Sequence, residues 1–484
     1  MEIHDNGGPL LEPILPWDGF QIYRDRTVLR TPQSRALQQL KNEIHSEDRW
    51  DDFKKITNPY EYVFLSWNRR TSRSVALRQP LSRSYFKMVE IWQALDFTHA
   101  LAPLVAAGGL KTAHAAEGPG GFIEACWARA EAAGWSIHAT NAITLRSDAA
   151  NIPGWRKAVR FLEARPAIRI HEGADGTGNI LVKANQDAFV ATARGAHIYT
   201  ADGGFDFSAD YAAQEDKIFP LLVGEALIGL RCLAVGGIMV IKCFDTTERN
   251  TLDFLWLLSR AFASWHIVKP KTSRLGNAER YFVGIGRLPV IDDIVIFLEA
   301  IQKSQHWSVP LLTPSVEQRE WMKGVFELQE RLEREEYRII RATLDLIHAH
   351  EYPRLQTLVH DNVTRSIEWC KEYGEPISAH WQQQDIAKNI GRECRDLIAI
   401  IKGGDGTGSS GAAGVGAGAS SWYNRLHNES TSSYRTGTVA LSFEGFRSNQ
   451  TSESKTEALT PAPVAYNPFR RFVLGSFTPP PGNS

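Results

Sequence analysis

Four charged residues stand where short apolar runs end or helices open: Lys87 in SRSYFK, Asp202 in ADGGF, Lys242 in VIKCF and Glu279 in NAERY. An uncompensated ammonium is costly to bury in an apolar strand. Lys242 is therefore expected at the strand's carboxyl end, facing a cleft, which is where ligands bind in open α/β sheets. Asp202 ends a strand of its own just ahead of two glycines and can reach the same crevice, with Lys87 and Glu279 joining from a flanking helix and strand. Taken singly, each is more readily a surface charge or a structural ion pair than a site residue. The set gains meaning from EGPGGF (Glu117, Gly118, Pro119, Gly120, Gly121, Phe122), between a predicted strand and a predicted helix. Glycines there permit a sharp turn and let bare backbone approach a ligand. The segment has neither the G-x-G-x-x-G spacing of a dinucleotide site nor the G-K-[ST] of a phosphate loop. A cofactor bound without phosphates fits it best.

The elements that must position these residues alternate in the α/β manner. Apolar runs predict strands over 110–117, 136–143, 197–201, 237–244 and 266–269, and amphipathic stretches predict helices over 121–133, 186–194, 214–233 and 251–263. That is the pattern of a parallel sheet covered on both faces. A last strand over 280–286 follows after a short loop with no helix, so it is expected to run antiparallel to its partner. A helix over 84–95 precedes the sheet. Residues 315–402 carry Glu, Arg, Leu and Ile at helical spacing and predict helices packed on the domain, with an irregular coiled coil as the lesser reading. From residue 403 the chain is rich in Gly, Ser and Pro, a composition that predicts disorder. Within that tail NPFRRFVLGSF, over 467–477, suits a short docking motif, or is merely part of an unstructured tail.

With 484 residues, 43% hydrophobic and 23% charged, the chain has room for a substantial core and the balance of a globular protein. Its net charge of -1 gives no overall attraction to nucleic acid, so RNA binding would need a local basic surface. The five cysteines lack any C-x-x-C pair, which argues against a zinc site or disulfide framework and for a reducing, intracellular setting. No basic leader and no apolar run of membrane-spanning length is seen, so neither secretion by that route nor a membrane is expected.

The order SRSYFK, EGPGGF, ADGGF, VIKCF and KPKTSRLGNAERYFVG resembles the FtsJ-type ribose 2'-O-methyltransferases. NPYEYVF at 58–64 and DGTGNI at 175–180 are more similar to their mRNA-cap branch, in cells and large DNA viruses, than to the ribosomal RNA branch. The resemblance covers roughly residues 53–288. It implies a Rossmann-like class I methyltransferase sheet, mostly parallel with the last strand antiparallel, S-adenosylmethionine as cofactor, and Lys87, Asp202, Lys242 and Glu279 as a catalytic tetrad. Lys242 would accept the ribose 2'-hydroxyl proton, its pKa lowered by partial desolvation and by Lys87 as neighbouring cation. No metal is needed for that step. The resemblance further implies cofactor contacts from Ser82, the 117–122 turn, Asn179, Ile180 and Asp202, and capped-RNA contacts from Lys54, Gln214 and Asn277.

Two departures are visible. The strand over 136–143 ends in ITLR without the acidic residue that often holds the cofactor ribose. Where the family has GDI, this chain has Gly178, Asn179 and Ile180, and a loop asparagine is equally a turn former. The implied activity is methylation of the first transcribed nucleotide of capped mRNA. Methylation of the second nucleotide, of ribosomal or transfer RNA ribose, and a non-catalytic RNA-binding subunit stay open. RNA polymerase or other capping enzymes would be partners through the tail, in nucleus, cytoplasm, viral factory or virion. The implied layout is an N-terminal extension over 1–50, the methyltransferase domain over 51–300, a helical extension over 301–402 and the tail over 403–484.

Overall fold

The computed structural model describes residues 13–17, 20–23, 32–65, 73–147, 152–204, 214–304, 316–349, 355–382, 386–401 and 439–444. A hairpin of β1 (Pro13–Trp17) and β2 (Phe20–Tyr23) precedes helices α1 (Pro32–Ile44), α2 (Trp50–Thr57), α3 (Ser84–Ala94) and α4 (Phe97–Val105). An alternating run follows: β3 (Leu110–Ala115), α5 (Gly121–Ala132), β4 (Ile137–Ile143), α6 (Val159–Glu163), β5 (Ile168–His171), α7 (Lys183–Ala193) and β6 (Ala196–Ala201). It continues through α8 (Gln214–Cys232), β7 (Leu233–Cys243), α9 (Arg249–Ser259), β8 (Phe262–Lys269) and β9 (Arg280–Arg287). Helices α10 (Asp292–Ser304), α11 (Val316–Ile347), α12 (Leu355–Glu372) and α13 (Ile386–Ile401) come next, and strand β10 (Val439–Glu444) is the last described element.

The main sheet has the order β10-β8-β9-β7-β6-β3-β4-β5. From β7 to β5 the neighbours are parallel, and β9 lies antiparallel between β7 and β8. Alternation along the central strands explains two covered faces. Ile198, Ile238 and Val240 enter the core shared with α3 and α5, while Tyr199, Met239 and Ile241 enter the core shared with α7, α8 and α9. Both faces are apolar, so the sheet can turn only its edges to ligands. Asp202, Lys242, Lys269 and the turn at Glu117 accordingly gather at the carboxyl ends of parallel strands, and β9 begins at that same edge.

Helix α11 is 32 residues long, roughly 48 Å at 1.5 Å per residue. Its first half (Trp321, Val325, Leu328) joins one face's core and its second half (Ile339, Ala342, Leu346) joins the other, together with α12 and α13. The helical segment thus shares both cores with the sheet.

Several elements depart from the expectations. The β1–β2 hairpin and helices α1, α2, α4 and α6 were not placed by the sequence. Strand β5 and helix α10 were not anticipated either, β5 because its IRIH sequence is short and only partly buried at the sheet's edge. Strand β10 lies within the stretch expected to be disordered, and it pairs antiparallel with β8 from Val439 opposite Lys269 to Glu444 opposite Ser264. Its apolar residues Val439, Leu441 and Phe443 alternate at strand period, a signal diluted by the Ser, Thr and Gly around it. Pairing there covers a strand edge that would otherwise expose backbone donors and acceptors. The remainder of the tail, with the 467–477 motif, lies outside the described residues.

Candidate active site

The tetrad forms one continuous string. Lys87 Nζ on α3 lies 2.7 Å from Glu279 Oε1, just ahead of β9. Lys242 Nζ on β7 lies 3.3 Å from Asp202 Oδ1 and donates to the Asp202 carbonyl at 2.8 Å. The Tyr281 hydroxyl joins the two pairs: it is 3.1 Å from Glu279 Oε1 and 3.1 Å from Asp202 Oδ1, and gives its single proton to one or the other. Register places it there, because Tyr281 is the cross-strand partner of Lys242. Phe122 is buried beneath this tyrosine at 5.6 Å between ring centroids, so its side chain supports the string from the core.

Electrostatics correct one expectation. Burial opposes the charge on Lys242, but Asp202, Glu279 and Glu225 outweigh it and hold the amine's pKa above its ordinary value. Lys87 is paired with Glu279 and so does not supply the expected downward shift. Glu279 is held below the usual carboxylate range despite its burial, by Lys87, Lys242 and Lys269. The string thus sets two carboxyl groups, bridged by Tyr281, between two flanking amines.

Behind the string lies a second acidic layer. Glu225 on α8 accepts from the Gly203 amide at 3.2 Å, and its pKa is pushed up to about 8, chiefly by burial. Glu117 is buried too, and burial with the nearby Asp202 charge raises its pKa. Its Oε1 accepts from the Thr200 hydroxyl, which contacts His114 Nδ1 at 2.7 Å. Burial depresses the His114 pKa to about 3, so that ring is neutral. Glu117 Oε2 has no hydrogen-bond partner among the described residues, and an orphaned buried carboxylate oxygen asks for a donor.

The glycine turn is sharp for reasons of packing as well as approach. Gly120 has φ 105°, a left-handed conformation, and a Cβ on Gly121 would stand 2.2 and 2.3 Å from the Ser84 and Ser82 hydroxyls. The turn is thereby locked against the start of α3, and Ser82 and Ser84 hydrogen-bond to each other. Gly118 and Pro119 carry the chain between this lock and Glu117. Asn179 closes its own turn by accepting from the Leu181 amide at 3.0 Å, and the Ile180 side chain is buried in the core.

The residues implied as RNA contacts come together. Lys54, Gln214 and Asn277 line one cavity of about 160 Å³, with Lys41, Trp50 and Arg274. Asn277 is fixed by Lys269, which donates to its side-chain oxygen, and at 2.7 and 2.8 Å to the carbonyls of Asn277 and Glu279. Burial lowers the Lys269 pKa to about 7. Lys269, Tyr281, Glu225 and Arg274 were missed by sequence reasoning. The spacing of Tyr281, two residues after Glu279 at strand period, was the one available signal.

Comparison with known proteins follows from this geometry. Residues 80–287 match the FtsJ-like methyltransferase family, so the span holding the whole tetrad and the glycine turn is an FtsJ-like methyltransferase domain. The chain is 39% identical over 114 residues to cap-specific mRNA (nucleoside-2'-O-)-methyltransferase 2 of Danio rerio, covering 23% of this chain and 15% of that protein. It is 41% identical over 92 residues to a probable methyltransferase of African swine fever virus, covering 19% of this chain and 22% of the viral one. It is 33% identical over 171 residues to cap-specific mRNA (nucleoside-2'-O-)-methyltransferase 1 of Leishmania braziliensis, covering 34% and 41%. The chain thus spans less than half the length of these relatives. No described helix is long and apolar enough to cross a membrane.

Proposed function

We propose that this protein is a cap-specific mRNA (nucleoside-2'-O-)methyltransferase that methylates the ribose 2'-hydroxyl of the first transcribed nucleotide, with S-adenosylmethionine as methyl donor. The observation that carries the reading is the string Lys87–Glu279–Tyr281–Asp202–Lys242 beside a cavity lined by Lys54, Gln214 and Asn277. Two amines and two carboxylates with no net charge suit the alignment and deprotonation of a hydroxyl.

The methyl donor supplies, when bound, an electrophilic methyl group on a sulfonium. Glu117, with its orphaned oxygen, and the turn Gly118, Pro119, Gly120 and Gly121 would hold it, with Ser82, the backbone of Asn179 and Ile180, and Asp202 completing the site; an amino group is the donor that Glu117 Oε2 lacks. Lys242 holds the ribose oxygen in line and, in its amine form, takes the hydroxyl proton. Asp202 fixes that amine through its carboxylate and its carbonyl. Because the carboxylates favour the ammonium, the amine form is scarce at neutral pH. Rate therefore rises with pH toward the alkaline side. Lys87 neutralises Glu279, and Tyr281 ties both carboxylates to one distance.

The decisive assay is transfer of labelled methyl groups to short capped and uncapped RNAs, followed by nuclease mapping of the modified ribose. Label at the first nucleotide of capped RNA alone is the expected result. Label at the second nucleotide would replace the first-nucleotide reading, and label on uncapped RNA would overturn cap specificity. We further infer capped mRNA as partner; contacts with polymerase or capping enzymes would fall to the tail.

A further inference from the structure

Glu61, in the NPYE segment, is fully buried, and its carboxylate faces two guanidiniums. Arg83 stands 2.9 Å away, and Arg274 makes a two-pronged contact, Nε to Oε2 at 3.0 Å and Nη2 to Oε1 at 2.9 Å. Two cations against one anion leave this cluster with one positive charge in excess. Arg83 directs its fork inward, to the carbonyls of Phe64 at 2.6 Å, Glu61 at 3.3 Å and Thr272 at 3.3 Å. Arg274 instead lines the cavity beside Lys54, Gln214 and Asn277, its guanidinium contacts running through Nε and Nη2 to Glu61, with Glu279 and Asp51 acting on it at longer range. The other cations there are matched: Lys41 sits 2.9 Å from Glu336 and 3.7 Å from Asp245, and Lys54 pairs with Asp51. The surplus charge therefore surfaces in the cavity at Arg274. A simple structural pair for Glu61 would need one arginine, not two.

We propose that Arg274, held in place by Glu61, binds a phosphate of the RNA substrate. The proposal rests on the reading of this domain as an RNA methyltransferase. A guanidinium whose far edge is pinned by a carboxylate presents its near edge as a rigid fork, the geometry that grips phosphate oxygens. At about 160 Å³ the cavity is below the roughly 300–1,000 Å³ that encloses a whole small ligand. It suits one segment of a polymer. The phosphate belongs either to the triphosphate bridge of a cap or to the RNA backbone.

The test is equilibrium binding of the full chain to fluorescent RNA across a salt series, for the wild type, Arg274→Gln and Arg274→Lys. Two probes separate the sources: a capped dinucleotide, which carries the bridge, and an uncapped oligonucleotide with a 5'-hydroxyl, which carries only backbone phosphates. Arg274→Gln should weaken binding about tenfold or more, and reduce the slope of log affinity against log salt by about 0.7, one phosphate on a single strand. The probe that shows the loss identifies the source. Unchanged affinity and slope on both probes would overturn the proposal. If Arg274→Gln no longer binds cofactor, Arg274→Lys decides, since it keeps the charge and loses the fork: severalfold weaker binding supports the assignment, and affinity within twofold of wild type rejects it. Wild-type protein that methylates no RNA would sink the functional reading instead, an outcome distinct from either.

Discussion

The charged string at the sheet's edge takes every member from residues 80–287, whereas the adjoining cavity draws Lys41, Trp50 and Lys54 from ahead of that span and Glu336, Ile339 and Thr343 from beyond it. The string is made by the carboxyl ends of β6 and β7 and the start of β9, which the folded sheet brings to one edge, with Lys87 reaching in from α3. The cavity is made where three helices, α1, α2 and α11, meet Gln214 and the Arg274–Ala278 loop, and the helices come together only through tertiary packing, with Leu37, Leu40, Trp50, Ile340 and Leu344 forming a small core of their own. The charged string thus sits in one contiguous span. The cavity joins that span to segments on either side of it.

The sharpest way to break that division is to remove the base. Lys242→Ala should lower methyl transfer by about 10²- to 10⁴-fold, the range for general acid–base catalysis, with cofactor affinity by calorimetry little changed. Lys242→Arg should fare almost as badly, because a guanidinium stays protonated. Near-wild-type turnover in the arginine variant would leave Lys242 a positioning charge.

On the other side of the comparison, Lys41→Met should destabilise the fold by about 3–5 kcal/mol, the usual result of stripping one partner from a buried pair. Glu336 would lose the lysine it faces, while Asp245 keeps Arg280 at 3.1 Å, in a site where the Lys41 and Glu336 side chains are only 9% and 4% exposed. Arg146→Ala breaks the solvated Arg146–Glu172 pair and serves as the control that should leave the urea midpoint in place. Equal midpoints for both variants would mean that α1 and α11 are not anchored to the sheet through this lysine.

The pH dependence sharpens the string itself. Asp202 raises the Lys242 pKa, so Asp202→Asn should move the alkaline limb of the rate profile to lower pH, on top of any loss of rate. Lys87→Ala should move it to higher pH, because an unneutralised Glu279 then acts on Lys242 in full. In a Glu279→Gln background the Lys87 substitution should shift nothing. A shift that persists there would restore Lys87 as a direct neighbour.

The same contrast governs what was legible from sequence. The alternating strands, the antiparallel strand β9 and the meeting of Lys87, Asp202, Lys242 and Glu279 at one edge were readable because each rests on a local pattern: apolar period, loop length, and a charge at the end of an apolar run. Glu61, Arg83 and Arg274 were not, since their partnership spans 213 positions and each residue alone is an ordinary charge. Tyr281 looked like one more aromatic in a buried strand until register set it opposite Lys242. The sign of the Lys242 shift was misjudged for a related reason: residue types declare that two lysines are present, but only distances say which carboxylate each one faces. Among the described residues, β10 escaped because its six-residue alternation is embedded in a stretch of contrary composition.

The smallest expected effect falls on Asn179, where the sequence allowed either an adenosine contact or a turn. Its oxygen accepts from the Leu181 amide at 3.0 Å, and Asn185 reaches the Asn179 carbonyl at 3.0 Å, so both groups already work inside the loop. An asparagine that bonds its own backbone two residues on stabilises the turn and does little else. Replacing it with alanine removes one local hydrogen bond, about 0.5–1.5 kcal/mol, most of which acts on the loop. Asn179→Ala should therefore weaken S-adenosylmethionine binding by less than about threefold in calorimetry. The buried Glu117 is the contrast, because its Oε2 has no partner among the described residues: Glu117→Gln should weaken the same binding more than Asn179→Ala does. The reverse order would move adenosine recognition to Asn179 and make the turn at 117–121 a packing device.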